Sequence, residues 1–346
     1  MDALKDIGGP AQPLLTITGL VKHFPLKKDP LGRGGGTVRA VDGVDFEVMK
    51  GETLGVVGES GCGKSTTARL LMQLIEPTRG EVVFDGREVG SRDLPLKEFR
   101  RQVQMVFQDS YASLNPRLTI EDSIAFGPQV HGVARREAVA RARDLLSRVG
   151  LEPQRFAERY PHELSGGQRQ RVNIARALAL QPRMVILDEA VSALDKSVEA
   201  QVINLLLDLK AEFGLTYLFI SHDLNVVRYV SDRVMVMYLG QVAEIGPADA
   251  LYEAPAHPYT RALLSSMPSM DPDHRTEEAP LAGDPPNPID PPTGCRFHPR
   301  CALAASVCSQ VVPERIAAGS QHAVSCLAHE PGSGHPLALQ PMRQVA

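Results

Sequence analysis

Between about residues 14 and 251, short apolar runs alternate along the chain with longer stretches whose apolar residues recur at helical spacing. Three of the short runs are residues 54–57 (LGVV), 184–187 (MVIL) and 217–220 (YLFI). Such runs are typical of parallel strands that are buried on both faces, and each stops directly before polar residues. Because ligands bind at the carboxyl ends of such strands, the pattern predicts an α/β fold with a site along one sheet edge.

The pattern changes in two places and so divides the chain. A region at about 109–164 is rich in Ala, Arg, Glu and Leu at helical spacing, which predicts a helical subdomain. Further on, 15 of the 27 prolines fall in the last 92 residues. We therefore expect a main domain over residues 1–254 and a small loop-rich extension over residues 255–346. A glycine-rich stretch at 32–36 predicts a flexible hairpin loop between N-terminal strands.

Composition narrows the functional classes. The chain has 346 residues, of which 43% are hydrophobic, and a formal net charge of -4. It is long enough to bury a core, and it lacks the basic surplus that draws proteins to nucleic acid, so we expect no nucleic-acid partner. Its apolar runs fall far short of the roughly 20 residues that span a bilayer, and its first ten residues do not resemble an export signal. We expect a cytosolic protein.

Residues 58–65 (GESGCGKS) form the pattern G-x-x-x-x-G-K-S directly after the first apolar run. In such a loop the glycines let backbone N–H groups surround phosphate oxygens, and the following helix directs its positive end to the same place. Lys64 is expected to reach the β- and γ-phosphates of ATP, and Ser65 is expected to bind Mg²⁺. The residues expected to hold the nucleotide here are Gly58, Glu59, Ser60, Gly61, Cys62, Gly63, Lys64, Ser65 and Thr66.

Two carboxylates follow the apolar run at 184–187. Asp188 is expected to hold Mg²⁺ through its water shell, whereas Glu189 is expected to accept the proton of an attacking water. Acidic residues at a strand end often belong only to a turn. Asp188 and Glu189 indicate a catalytic site because the same chain also contains the phosphate loop.

Residues 164–168 (LSGGQ) precede RQRVNIARAL, which predicts a helix that begins near Ser165. The order of phosphate loop, LSGGQ and acidic strand end resembles the nucleotide-binding domain of ABC ATPases. This resemblance implies a P-loop NTPase of the ABC type, with a parallel RecA-like core sheet, an antiparallel β subdomain and a helical insert. It also implies that the LSGGQ segment contacts ATP bound to a partner subunit. The contacting residues would be Ser165, Gly166, Gly167 and Gln168.

Four further positions are similar to those of ABC ATPases. The resemblance implies that Gln108 senses Mg²⁺ and the attacking water, and that His222 contacts the γ-phosphate. It implies that Asp195 lies in a loop that crosses the dimer interface and that Phe24 stacks on adenine. One departure is Ala190, where many relatives have proline, but the catalytic atoms are unaffected.

The segments HPYTRALLSSMP, LAGDPPNPIDPP and GCRFHPRC resemble the C-terminal extension of oligopeptide and dipeptide importer ATPases. The segment FQDSYASLNPR agrees with them, and DEAVSALDKSVEAQVINLL is more similar to the second ATPase of such pairs. The resemblance implies an ATP-hydrolysing subunit that powers peptide import from the cytoplasmic face of the inner membrane. Its partners would be a second ABC ATPase in a heterodimer, two membrane permeases and an extracytoplasmic solute-binding protein.

Other functions remain open at this stage. The solute could be a nickel chelate or glutathione. The alternative from another class is a soluble accessory ATPase of a multi-enzyme complex, as with carbon–phosphorus lyase. An ABC protein that acts on ribosomes or DNA usually has two nucleotide domains, and the single LSGGQ motif argues against it.

Four of the five cysteines lie in the last 52 residues with the spacing C-x5-C-x6-C-x17-C. In a reducing compartment such a group suggests metal ligation rather than disulfides. The gaps exceed those typical of structural zinc, and several peptide-importer ATPases carry a 4Fe-4S cluster in this region, as the resemblance implies. A 4Fe-4S cluster, Zn²⁺ and unligated thiols remain the alternatives for Cys295, Cys301, Cys308 and Cys326.

Overall fold

The computed structural model describes residues 8–9, 11–26, 35–267 and 283–338. The strands are β1 (Leu15–Leu26), β2 (Gly36–Val48), β3 (Thr53–Val57), β4 (Arg79–Phe84), β5 (Arg87–Glu88), β6 (Val103–Val106), β7 (Met184–Asp188), β8 (Thr216–Ile220), β9 (Arg233–Tyr238), β10 (Gln241–Pro247), β11 (Ile316–Gly319) and β12 (His322–Val324). The α-helices are α1 (Lys64–Leu71), α2 (Leu96–Gln102), α3 (Ile120–Val130), α4 (Arg135–Arg148), α5 (Pro153–Phe156), α6 (Gly166–Leu178), α7 (Lys196–Phe213), α8 (Leu224–Val230), α9 (Ala248–Glu253) and α10 (Pro258–Ser265). Short 3-10 helices cover Pro161–Glu163, His298–Arg300 and Ser306–Ser309.

The larger of two sheets has the strand order β11-β12-β10-β9-β3-β8-β7-β6. Strands β9, β3, β8, β7 and β6 run parallel, whereas β10, β12 and β11 pair antiparallel with their neighbours. The three runs predicted as parallel strands lie in β3, β7 and β8, which are buried along their whole length. The predicted α/β core is confirmed.

Successive side chains of the central strands point to opposite faces of this sheet. In β7, Val185 and Leu187 belong to the hydrophobic cluster on the side of the helical insert, whereas Met184 and Ile186 belong to the cluster shared with the second sheet. Both faces are therefore covered, which explains why these strands show no alternation of polar and apolar residues.

The second sheet is antiparallel and has the order β2-β1-β4-β5. Leu15 of β1 lies opposite Val48 of β2 on one side and Phe84 of β4 on the other. This sheet confirms the predicted antiparallel β subdomain. Strands β1 and β2 pair up to Gly36, and residues 32–34 of the predicted glycine-rich loop lie outside the described residues.

Helices α3, α4 and α5 form the predicted helical insert between β6 and α6. Helix α3 begins at a capped turn, in which Thr119 Oγ1 accepts a hydrogen bond from the N–H of Asp122 at 3.3 Å. Ala138 and Ala142 of α4 are fully buried, and α3 and α4 both contact α6. Within the described residues, no helix is both long and apolar enough to cross a bilayer.

The extension is joined to the core more closely than its sequence predicts. Strand β12 covers the edge of the main sheet at β10, where Glu244 lies opposite Val324. Tyr259 and Phe297 belong to the main hydrophobic cluster. The expected boundary at residue 254 therefore does not mark a break in the sheet or in the core. Strands of three and four residues are too short to show a readable period, so the sequence does not predict this pairing.

Candidate nucleotide-binding site

The loop between β3 and α1 is tightly enclosed by neighbouring backbone. Gly58 has a φ of +148° and Gly63 a φ of +111°. A Cβ atom on Gly58 would lie 2.2 Å from the carbonyl oxygen of Met237, and one on Gly63 would lie 2.4 Å from that of Ala40. Both conformation and packing therefore require glycine at these two positions.

Lys64 points back into this loop. Its Nζ donates to the carbonyl oxygens of Gly58 at 2.7 Å and of Glu59 at 3.1 Å. The side chain is buried and belongs to the first turn of α1, where the helix end adds positive potential. The ammonium group, the helix end and the glycine loop thus lie together, and such a group can hold phosphate.

Ser65 and Asp188 connect the phosphate loop to the end of β7. Ser65 Oγ donates to Asp188 Oδ1 at 2.7 Å. Burial raises the pKa of Asp188, and the hydrogen bond from Ser65 opposes this rise. A hydroxyl and a carboxylate are the oxygen donors that Mg²⁺ prefers, so the residues present fit the expected metal.

Gln108, Glu189 and His222 meet beside that pair. Gln108 Nε2 donates to Glu189 Oε2 at 2.8 Å, and His222 Nδ1 lies 3.8 Å from the same oxygen. The three residues follow β6, β7 and β8, which are neighbours in the sheet. Glu189 has a φ of +49°, which is unusual for a residue other than glycine, and its N–H donates to the carbonyl oxygen of Ile220 at 3.0 Å. The structure thus brings the predicted base together with Gln108 and His222, which are expected to act on the same nucleotide.

The LSGGQ segment forms the start of α6, as its sequence predicts. The N–H of Gln168 donates to Ser165 Oγ at 3.3 Å, and the N–H of Ser165 donates to Gln168 Oε1 at 3.0 Å. A Cβ atom on Gly167 would lie 2.5 Å from Val198 Cγ1, so glycine lets α6 begin close against α7. Gly166 is the first helical residue and Ser165 is exposed. The N–H groups of Gly166 and Gly167 at this helix start can therefore be offered to another molecule.

Asp195 and Phe24 are both accessible in the structure. Asp195 is exposed and directly precedes α7. Phe24 lies in β1 with 37% of its surface exposed, and Lys22 Nζ lies 5.2 Å from the centroid of its ring. The roles expected for these two residues stay predictions.

The phosphate loop also contacts the extension, which the sequence does not predict. Tyr259 Oη accepts a hydrogen bond from the N–H of Glu59 at 2.9 Å. Arg300 donates to the two carboxylate oxygens of Glu59 at 2.7 and 3.0 Å. Tyr259 and Arg300 lie 200 and 241 residues from Glu59 along the chain, and no motif spacing connects them to it.

The comparisons with known proteins agree with this geometry. Residues 41–192 match the ABC transporter family, and residues 243–308 match the C-terminal region of oligopeptide and dipeptide transporters. A probable peptide ABC transporter ATP-binding protein of Sinorhizobium fredii, y4tS, is 49% identical over 335 residues, which cover 96% of this chain and 95% of the relative. This chain belongs to the ABC transporter ATPases. The oligopeptide transport ATP-binding protein AppF of Bacillus subtilis is 50% identical over 318 residues, covering 90% of this chain and 96% of AppF.

A solved structure supports the same assignment for this ABC ATPase. The ATP-binding cassette MJ0796, a dimer in a post-hydrolysis state with ADP and Pi, is 30% identical with a TM-score of 0.59. The match covers 68% of this chain and 98% of MJ0796. The ABC ATPase fold and ATP hydrolysis are thereby confirmed, and ATP and Mg²⁺ are the expected ligands.

The four cysteines of the extension line one small cavity together with His335. All four are free, and burial raises the pKa of Cys295 to about 11 and raises the pKa of Cys301 and Cys326 as well. Within the described residues, no group of three or more His, Cys, Asp or Glu side chains is arranged to hold a metal ion. The cavity gathers the sulfur donors that a metal would use, but it does not present a finished ligand set.

Proposed function

We propose that this ABC ATPase powers the import of peptides across the bacterial inner membrane. The observation that carries the proposal is the match of residues 243–308 to oligopeptide and dipeptide transporters, because this segment lies outside the nucleotide site. Relatives named for peptide transport match over almost their whole length and support the same solute class. They do not favour an accessory ATPase of a lyase complex or an importer of nickel chelates or glutathione.

The phosphate loop is the proposed binding site for ATP. Its backbone N–H groups and Lys64 hold the phosphates, while Phe24 stacks on the adenine ring. Ser65, Asp188 and Gln108 would hold Mg²⁺, which would neutralise phosphate charge there. The hydrogen bond between Ser65 and Asp188 supports this role, because it already places two oxygen donors side by side.

Glu189 is the proposed general base. It accepts the proton of the attacking water, Gln108 orients both Glu189 and that water, and His222 contacts the γ-phosphate. The contacts of Gln108 and His222 with the same oxygen of Glu189 support this division of roles.

The LSGGQ segment is proposed to complete the nucleotide site of a second ABC ATPase. Among the described residues, the hydrogen bonds of Ser165 and Gln168 do not reach the phosphate loop of their own chain. A helix start whose exposed Ser165 lies away from the phosphate loop of its own chain suits a neighbouring ATP molecule. We propose a heterodimer with Asp195 at its interface.

An exposed apolar surface supports membrane permeases as partners. Phe126 and Val130 lie one turn apart on α3, with 60% and 53% of their surface exposed. Two large apolar side chains exposed side by side can serve as part of a contact site. We propose that one of the two permeases binds here and holds the ATPase at the cytoplasmic face of the membrane, while a solute-binding protein delivers peptide from outside.

The four cysteines are proposed to hold a 4Fe-4S cluster, with Zn²⁺ as the alternative. Their convergence on one cavity supports metal ligation. The cluster would hold the extension together and takes no part in ATP hydrolysis. Iron and sulfide analysis of anaerobically purified protein tests this proposal.

The decisive experiment is to express the chain together with the proposed permeases, second ATPase and binding protein, and to reconstitute the complex in proteoliposomes. ATP-dependent uptake of labelled dipeptides and longer peptides is expected, and Glu189→Gln should remove it. The solute that copurifies with the binding protein identifies the peptide class. Copurification with soluble enzyme subunits instead of permeases, or uptake of nickel chelates without peptide, would contradict the proposal.

A further inference from the structure

Glu59, the second residue of the phosphate loop, is held at three points. Its N–H donates to Tyr259 Oη at 2.9 Å, and its carboxylate accepts two hydrogen bonds from Arg300 at 2.7 and 3.0 Å. Its carbonyl oxygen accepts from Lys64 Nζ at 3.1 Å. Two of these three points come from the extension, so the extension controls the conformation of this residue.

The position of Arg300 is fixed by local structure and by burial. It ends the 3-10 helix His298–Arg300, and its N–H donates to the carbonyl oxygen of Phe297 at 3.0 Å. Only 5% of the Arg300 side chain is exposed to solvent, and 21% of the Glu59 side chain is exposed. A bidentate ion pair that is largely shielded from water is more directional and less screened than an exposed one.

Tyr259 belongs to a cluster of three aromatic rings, and Arg300 lies beside this cluster. The ring centroids of Tyr238 and Tyr259 are 4.6 Å apart, and Phe297 lies 5.3 and 5.4 Å from them. The Arg300 guanidinium lies 5.9 Å from the centroid of Tyr238. Tyr238 directly follows Met237, and the carbonyl oxygen of Met237 lies close to Gly58 of the phosphate loop. The cluster therefore adjoins the loop at Gly58 as well as at Glu59.

The position of Glu59 matters for phosphate binding in two ways. Because its N–H is already bonded to Tyr259, the direction of the loop that follows is set before ATP arrives. Because its carbonyl oxygen and that of Gly58 hold Lys64, its position also sets where the ammonium group rests. A loop whose N–H groups are held in place loses less conformational entropy when it binds phosphate.

We propose that Arg300 and Tyr259 are positioning residues that hold the phosphate loop in its nucleotide-binding conformation through Glu59. The extension is then part of the nucleotide site, although it contributes no atom that touches ATP. This inference rests on the proposed role of the phosphate loop.

Arg300→Ala in the full-length chain tests the inference. We expect the Kd for a fluorescent ATP analogue to rise about tenfold, since a hydrogen-bonded charge pair is lost. In the assembled complex the KM for ATP should rise more than kcat falls. Arg300→Lys should restore part of the affinity, because it keeps the charge but not the bidentate geometry. Tyr259→Phe should weaken binding less, because it removes one hydrogen bond and keeps the ring.

Arg296→Ala is the matched control. Arg296 lies in the same segment, is 7% exposed and pairs with Asp42 and with the carbonyl oxygen of Leu239 instead of with the loop. It should lower thermal stability without changing the Kd for ATP. Equal loss of affinity in Arg296→Ala and Arg300→Ala would overturn the inference, because the extension would then act only through general stability.

Two further variants separate this inference from the proposed nucleotide site. On a Glu59→Gln background, Arg300→Ala should add little to the loss of affinity, because both act on one contact. Additive losses would mean that Arg300 does not act through Glu59. Lys64→Ala should abolish ATP binding. If Lys64→Ala binds ATP normally, the assignment of the phosphate loop itself is wrong. If only Arg300→Ala binds ATP normally, the phosphate loop stands and only the positioning role of Arg300 is refuted.

Discussion

The nucleotide site and the cysteine-lined cavity differ in how far the folded chain completes them. At the nucleotide site, Ser65 is already bonded to Asp188, and Gln108 to Glu189, at the ends of neighbouring strands. In the extension, the cysteines line one cavity but are not arranged as metal ligands within the described residues. The sheet positions the first set of residues, whereas the second set depends on loops and short turns.

The acidic groups of the two sites can also be compared by their pKa values. Burial raises the pKa of Asp188, and the hydrogen bond that its carboxylate accepts from Ser65 opposes this rise. Burial raises the pKa of Cys295 to about 11, so its thiol is neutral at pH 7. Metal binding would have to displace protons from such thiols as it orders them. The site at the strand ends is thus formed in advance, whereas the proposed thiol site would form together with a metal.

The largest effect should come from the site that the chain completes itself. Glu189→Gln should lower ATP turnover by about 10²–10⁴-fold, because it removes the base and leaves Lys64, Ser65 and Asp188 in place. ATP should then trap the closed dimer. Turnover is measured in the assembled complex after the partner's own site has been inactivated. A rate near that of the wild type under those conditions would exclude Glu189 as the base.

A second substitution tests whether this chain also serves its partner. Ser165→Arg puts a bulky cation at the start of α6 without touching the phosphate loop of its own chain. ATP binding by this chain should persist, while hydrolysis at the partner's site should fall by about 100-fold or more, because an anion-binding helix start is blocked. Ser147→Arg, at an exposed position on α4, is the control. Loss of only this chain's own site would contradict the composite arrangement.

Features that depend on a few consecutive residues could be predicted from the sequence, whereas contacts between distant segments could not. The phosphate loop, Glu189 and the LSGGQ helix start each depend on a few consecutive residues beside a strand or helix, so short motifs identify them. The contact of Arg300 with Glu59 depends on packing between segments 241 residues apart, and no local pattern encodes it. Strand β12 was missed because three residues carry no period.

A third variant tests whether a bound metal completes the cysteine cavity. Cys301→Ser should remove iron and acid-labile sulfide from anaerobically purified protein and should destabilise the extension by about 3 kcal/mol, because metal-binding free energy contributes to folding. Hydrogen exchange over residues 295–326 measures the loss. Val311→Ser, at an exposed position nearby, should leave the iron content unchanged. Stoichiometric zinc in iron-free wild-type protein would refute the cluster.

The smallest expected effect lies where the two regions join. Glu244 of β10 is fully buried, and its carboxylate accepts hydrogen bonds from the N–H groups of Ala256 at 2.7 Å and His257 at 2.9 Å and from His322 Nε2 at 2.7 Å. Glu244→Gln keeps the shape but turns an NH₂ group towards one of these donors. We expect a loss of about 1–2 kcal/mol, because one buried donor is left without an acceptor.

Urea unfolding with site-resolved hydrogen exchange can show where that stability is lost. Protection should fall at the start of α10 and in β12 and should persist in β3, β7 and β8, because the hydrogen bonds of the Glu244 carboxylate described above all go to residues of the extension. Glu253→Gln removes the same charge from an exposed residue, so it should change the free energy of unfolding by less than about 0.5 kcal/mol. Equal losses in the two variants would attribute the effect to net charge. A loss spread evenly over both regions would mean that core and extension unfold as one unit, and then the cysteine-bearing extension could not respond to metal independently of the nucleotide site.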